Sequence, residues 1–395
     1  MTNLNRKGFV LPTVIFAITI MSIVAVVAVS TATDERRTSR ASRESTLAMY
    51  AAEAGLRQTY GAWPAGAQLL TPGDSLDLGW NNLPNKASYR AVIHRVDKGG
   101  LQEYAVIVQG RRTDPTAGIM MLAGAVGAVP TFKYAVSTDS ALYLVNGGLF
   151  DGYDSEKAAY ISTSADSTAN LRAGVDIYIT QTLVKGDVAA VGVVTLASGG
   201  LVTGTNTPAA PVVPPRDVIP CPVTGFTPTA KVPTGSGISY NAVSGVLSVS
   251  GNNNSVTLTD TAYFFSSIVV SNNAKLILPG TQHVNLVLRD SLNASGGNVI
   301  NQSNSPPMVS FSSCGTSATP AYWALSSGAW PGYFSVYAPN HVVYELGGGD
   351  FYGAIVAWIY YATGGGKFHY DAALARQPSN RLEVQRGSWA QLPGS

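Results

Sequence analysis

His369 and Asp371 stand two residues apart in "KFHYD", the spacing of an acid able to orient an imidazole. No nucleophile signature lies near them, so a capping or turn contact is the plainer expectation. Asp151, Asp154 and Glu156 in "DGYDSE" bring three carboxylates together, enough oxygen to hold Ca²⁺ weakly. The stretch lacks the glycine and ligand spacing of an EF-hand loop, which makes it a weak metal candidate. Cys221 and Cys314 are the only two cysteines. Aromatic runs "AYWALSSGAWPGYFSVY" and "AWIYYATGG" offer Tyr322, Trp323 and Trp330 as rings to stack on bases or sugar faces, unless they face a core. Lys367, Arg376, Arg381 and Arg386 form a local basic group able to meet phosphates. The chain has no CxxC and no phosphate-binding glycine loop. These residues describe a non-enzyme, with no cofactor and no resident metal expected.

What must position these groups begins with composition. Only 12% of the 395 residues are charged, against about a quarter in ordinary soluble proteins. The net charge of +2 excludes a global field for nucleic acid. Its sign is uneven, because residues 1–136 carry fourteen Lys/Arg against nine Asp/Glu, and the remainder eleven against fourteen. The length suits two domains, or one domain with a large insertion.

The basic part holds the strongest local signal. No charge occurs between Phe9 and Thr33, and as a helix these residues would span roughly 37 Å, enough for a ~30 Å hydrocarbon core. A secretory signal would be shorter and end in a small-x-small cleavage site. Instead the run passes directly into "TDERRTSRASRESTLAMYAAEAGLRQTY", which has no proline and many helix formers. One helix from Phe9 to about Tyr60 is predicted, apolar all round at first and amphipathic later. Pro12 falls in its first turn, where a missing N–H costs nothing.

The leader ending in Arg6-Lys7-Gly8, followed by Phe9, resembles the type III signal of type IV prepilins. "AMYAAEAGLR" (48–57) is similar to the end of the first helix in PilX-type minor pilins. The resemblance covers about the first sixty residues. It implies cleavage after Gly8 by a prepilin peptidase, methylation of Phe9, and an anchor helix that later enters a filament core. Major and minor pilins and an inner-membrane assembly platform would be its partners. The chain would cross the inner membrane once before assembly and afterwards lie in an extracellular pilus. Major pilins carry a glutamate where this chain has Thr13. A subunit lacking it need not dock beneath another, which points to the tip, unless PilX-like pilins simply tolerate many residues there.

The resulting fold class is α+β: a long N-terminal helix, a small antiparallel sheet and a large all-β head inserted in or appended to it. The expected division is leader 1–8, helix 9–62, sheet region 63–133, head 134–375 and C-terminal return strand 376–395. "ASYRAVIHRV" and "EYAVIVQGRR" flank "DKGGLQ" as a hairpin. In the head, short β-branched runs alternate with Gly, Asn and Ser, which suits a β-solenoid, with a sandwich as the alternative. Residues 205–235 are too proline-rich for a sheet interior and read as an extended excursion. Cys221 lies within it, and a bridge to Cys314 is favoured over two free thiols in an oxidising compartment. A head inserted before a return strand would be similar in architecture to the DNA-receptor pilin ComZ.

Enzymes built on solenoids gather carboxylates on one face, and no rung-spaced aspartate pair is evident. Three roles follow. The first is adhesion or pilus priming, for which a surface or glycan ligand suits a nearly neutral, Ser/Asn/Tyr-rich head. The second is DNA uptake through the basic group. A membrane-anchored protein that binds or cleaves glycans is a distant third.

Overall fold

Val10–Gly61 forms one unbroken helix, α1, of 52 residues and therefore about 78 Å. The computed structural model describes residues 10–84, 86–98, 101–112, 119–128, 130–146, 148–212, 216, 218–223, 225–314, 322–325, 331–377, 382–384 and 390–392. Between Leu11 and Val29 the large apolar side chains of α1 are exposed. By length and composition this helix is able to cross a membrane. Ser and Thr in the apolar half turn inward on the helix itself, as when Ser22 Oγ donates to the Ile18 carbonyl.

Two units divide the chain: Met1–Ala128 with Asn380–Ser395, and Val129–Ser379. In the first, the end of α1 packs on an antiparallel sheet of β1 (Ser75–Asn82), β2 (Ala87–Lys98), β3 (Leu101–Arg112) and β4 (Met120–Ala128), paired in chain order. The hairpin closes where Lys98 faces Leu101. Two C-terminal strands, Leu382–Val384 and Ala390–Leu392, both pair with β4. Ala91, Ile93, Val106, Val108, Leu122 and Val126 alternate inward from the sheet onto Ala52 and Leu56.

The alanine-rich end of α1 has a mechanical reason. Ala48, Ala51 and Ala52 are fully buried, and at Gly110 of β3 an added Cβ would collide with the Ala48 carbonyl oxygen and the Ala52 amide nitrogen. Gly55 is pressed against the Tyr89 ring in the same way. Small residues on both surfaces let helix and sheet backbones meet almost directly.

The second unit is all β with short 3₁₀ turns. Among the described residues, its large sheet has nineteen strands and pairs them in parallel, except where Ile238–Asn241 pairs with Val246–Ser250. Leu142 lies opposite Ile177, and Ile177 opposite Val194, so successive stretches of chain stack in register. Later strands stack likewise, from Ala262–Ser271 through Val284–Asn293 and Gly332–Leu346 to Phe351–Thr363 and Lys367–Asp371. The last two return to pair with Val136–Thr138, Leu142–Val145 and Gly148–Tyr153. Val284–Asn293 also pairs with both Val309–Ser313 and Tyr322–Leu325, and both of these pair with Gly332–Leu346. Four parallel strands thus close a ring of pairings, because each long strand carries two short ones along its length.

The proline-rich stretch is pinned along its course. Arg172 donates to the Pro211 carbonyl, Arg216 pairs with Asp139, and Thr227 bonds the Phe264 backbone. A disulfide joins Cys221 to Cys314 across 93 residues. In the loop-entropy account, a closure of that length constrains the unfolded chain by about 4–5 kcal/mol.

Gly110→Ala is expected to force α1 away from β3 and to lower the stability of this unit by about 1–3 kcal/mol. Hydrogen exchange of residues 87–112 in detergent-solubilised protein measures it. Gly61→Ala, whose added Cβ meets nothing, serves as the silent control.

Candidate functional site

The two acid-bearing motifs, far apart in sequence, meet in space. Gly148–Tyr153 and Lys367–Asp371 pair so that Asp151 faces His369 directly. Both are fully buried, and His369 Nδ1 lies 2.5 Å from Asp151 Oδ1. The Tyr160 hydroxyl donates to the other Asp151 oxygen at 3.0 Å, while its ring covers the imidazole at 3.9 Å between centroids. Tyr352 also packs on the imidazole, at 4.5 Å, and edge-on to Tyr160 at 5.4 Å, followed by Tyr333 at 4.4 Å from Tyr352. His369 Nε2 lies 3.9 Å from the half-exposed Asp350 carboxylate.

Residues 154–168 form a strap over this row. Asp371 accepts hydrogen bonds from the Ser155 amide and hydroxyl and from the Ala373 amide, capping the 3₁₀ turn Ala372–Arg376. Burial raises its carboxyl, against the pull of those donors. Arg376 reaches back to Asp154 at 2.6 Å and Glu156 at 2.7 Å, and Lys157 adds a second cation at Asp154. The guanidinium holds the Asp154 carboxyl below the ordinary carboxylate range. The carboxylates of "DGYDSE" are therefore spent on a histidine, an arginine and a lysine. Among the described residues, no three His, Cys, Asp or Glu side chains converge as metal ligands. The arrangement clamps strap to strand by charge and ring stacking.

A third buried acid has no signal in the sequence. Glu345 accepts a hydrogen bond from Tyr360 on the neighbouring strand, and both are buried. Glu345 borders a small cavity with Gly347, Gly365, Gly366, Thr182 and Phe150. Burial pushes the Glu345 carboxyl up to about 7, with the Tyr360 hydrogen bond opposing it. No local pattern marks Glu345, since its inward direction follows only from strand pairing.

The other sequence candidates scatter. Tyr322 is 62% exposed, but Trp323 is fully buried and donates to the Asp290 carbonyl at 3.3 Å, so its ring belongs to the core. The alternation of the strand sends these neighbours to opposite faces. Lys367 is exposed, whereas Arg376 is engaged in the clamp. Thr13 sits in the exposed apolar part of α1. Arg6, Lys7, Gly8, Phe9, Trp330, Arg381 and Arg386 lie outside the described residues.

Residues 7–57 match the family model described as PilX N-terminal. No curated protein and no solved structure matches the chain. The match spans the start of the sequence, the apolar half of α1 and most of its alanine-rich end. The N-terminal segment is thus similar to that of PilX-type pilins, and the match stops before the sheet begins.

Glu345 gives the larger unit a pH signature. Its proton is held to about 7 when folded and released near 4.5 when unfolded. Stability from this group is complete below 4.5 and falls as pH rises through 7, by about 3 kcal/mol in all. Urea unfolding between pH 4.5 and 8 should show the decline, and Glu345→Gln should flatten it.

Proposed function

We propose that this protein is a minor pilin of a type IV pilus or related filament, at or near its tip, presenting a β-solenoid head for adhesion or pilus priming. The observation that carries this reading is the PilX N-terminal match over residues 7–57 on a helix whose first half is apolar and exposed. The helix supplies membrane anchorage before assembly and an apolar surface for other pilins afterwards. Prepilin peptidase cuts after Gly8, and Phe9 becomes the methylated N-terminus. Thr13 cannot form the buried carboxylate–amine pair that guides a subunit beneath its neighbour. A head unit of about 250 residues also argues for low copy number, since seven residues of packed helix advance only about 10.5 Å.

In-register parallel ladders between successive stretches support a solenoid for the head. C-terminal strands pairing with β4 support its insertion into the pilin sheet, an arrangement like that attributed to ComZ. The role is one of binding, not catalysis. Arg376, committed to Asp154 and Glu156, is poorly placed to serve DNA, which favours adhesion over DNA uptake.

Intact mass and N-terminal sequence of the protein from sheared surface filaments test the reading. A chain beginning at N-methylated Phe9 is expected. A full-length chain confined to the membrane fraction would overturn it. Loss of piliation on deletion would assign priming, and retained piliation with lost surface attachment would assign adhesion.

A further inference from the structure

Four tyrosines line up across four parallel strands: Tyr344 opposite Tyr361, Tyr361 opposite Tyr143, and Tyr143 opposite Tyr178. Their strands alternate, with Leu142, Leu144, Ile177, Ile179 and Tyr360 buried, so the row stands on the outward face. Tyr344 and Tyr361 stack at 4.9 Å and 9°, and Tyr361 and Tyr143 at 4.6 Å and 6°. Tyr322 extends the row at 5.6 Å from Tyr344, tilted by 35°. The two ends are the most open, Tyr322 at 62% and Tyr178 at 37% exposed.

The chemistry of this row is narrow. In the Tyr344–Tyr361–Tyr143 stack the faces of Tyr361 are covered by its neighbours, leaving ring edges and phenolic hydroxyls outward at the strand spacing of about 4.8 Å. Burial, and then the neighbouring Tyr143, Tyr344 and Tyr322, raise the Tyr361 hydroxyl above its ordinary value, so it stays neutral and able to donate. The flanking pair Leu346 and Thr363 and the half-buried Ile359 are also uncharged. Phosphates would find no cation on these positions, which removes the main source of nucleic-acid affinity. A neutral polysaccharide complements such a surface, since its hydroxyls meet the outward phenols and its uncharged C–H faces meet the exposed end rings, Tyr322 and Tyr178. One sugar unit of an extended chain also advances about as far as one strand step. Tyr344, Tyr361 and Tyr143 are already stacked, so binding orders little that is free in the middle of the row.

We propose that the Tyr322–Tyr344–Tyr361–Tyr143–Tyr178 row binds an extended neutral polysaccharide lying along it. This rests on the adhesive reading of the head and supplies its ligand class.

Affinity electrophoresis of the full chain in detergent micelles, through native gels cast with hydroxyethyl cellulose, dextran or galactomannan, tests it. At least one of the three should retard the native protein. Tyr344→Ala/Tyr361→Ala should weaken that retardation at least about tenfold, and Tyr344→Phe/Tyr361→Phe, which keeps the rings, by less. On the unsubstituted chain, the same polysaccharide should protect Tyr344 and Tyr361 from nitration, a readout independent of any variant's folding. No retardation by any of the three, or retardation without protection, overturns the proposal. So does DNA binding through this row that the polysaccharides fail to compete. The outcome is separable from the pilin reading. Filament protein starting at Phe9 without polysaccharide binding removes only the ligand, and polysaccharide binding by an uncleaved chain removes only the pilin.

Discussion

Parallel strand register is the constraint on which the larger unit depends. When successive stretches of chain lie in register, like positions stack on like positions, and every side chain inherits its surroundings from the strands on either side. Phe351, Phe368 and Phe150 stack inward at about 5 Å because their strands align residue for residue. One position along, the same alignment sets Tyr352, His369 and Asp151 in a row on the other side, under the strap. A slip of one residue would exchange these two rows, placing an aspartate in the phenylalanine stack. That cost makes the register self-enforcing, and it explains how a chain with so few charges can bury several of them. Asp151 is held by a histidine and a tyrosine, and Asp371 by three donors.

In the smaller unit the governing constraint is contact between backbones. Side chains larger than those of Ala48, Ala52 and Gly110 would hold α1 off β3, and the apolar residues that alternate inward from the sheet would lose their partner surface. The Ala-Ala-Glu-Ala-Gly stretch is therefore a packing motif rather than a chemical one. Its glutamate, Glu53, points to solvent and pairs with Arg57 one turn on.

Proline and cysteine do complementary work in the larger unit. The proline-rich stretch joins the sheet briefly, where Asn206–Thr207 pair with Val188–Ala189, and is then fixed at separate points by Arg172, Arg216 and the Cys221–Cys314 bridge. Strong turn formers punctuate the stacked strands, with Asn253, Asn272 and Asn273 in the left-handed region that asparagine tolerates best. Carboxamide and carboxylate side chains also stack at a corner. Asn170 accepts the Asp187 amide, and Asp187 accepts the Thr205 amide.

Sequence alone determined the elements whose signal is local. The uncharged run to Thr33 and the proline-free polar segment after it set the length of α1. Alternation and a glycine-bearing loop set the β2–β3 hairpin, and the prolines of 205–235 kept that stretch out of the sheet interior. Tertiary structure decided whatever depends on which strands lie side by side. "DGYDSE" and "KFHYD" read separately as a weak calcium candidate and a His/Asp pair in a capping or turn contact, yet they form one clamp because their strands are neighbours. Trp323 and Tyr322 look equally available in the sequence, but the strand turns one inward and the other out. Glu345, buried with Tyr360, and the outward tyrosine row have no local signature at all. Their residues are spread through the chain, and only the pairing of distant strands gives them a common face.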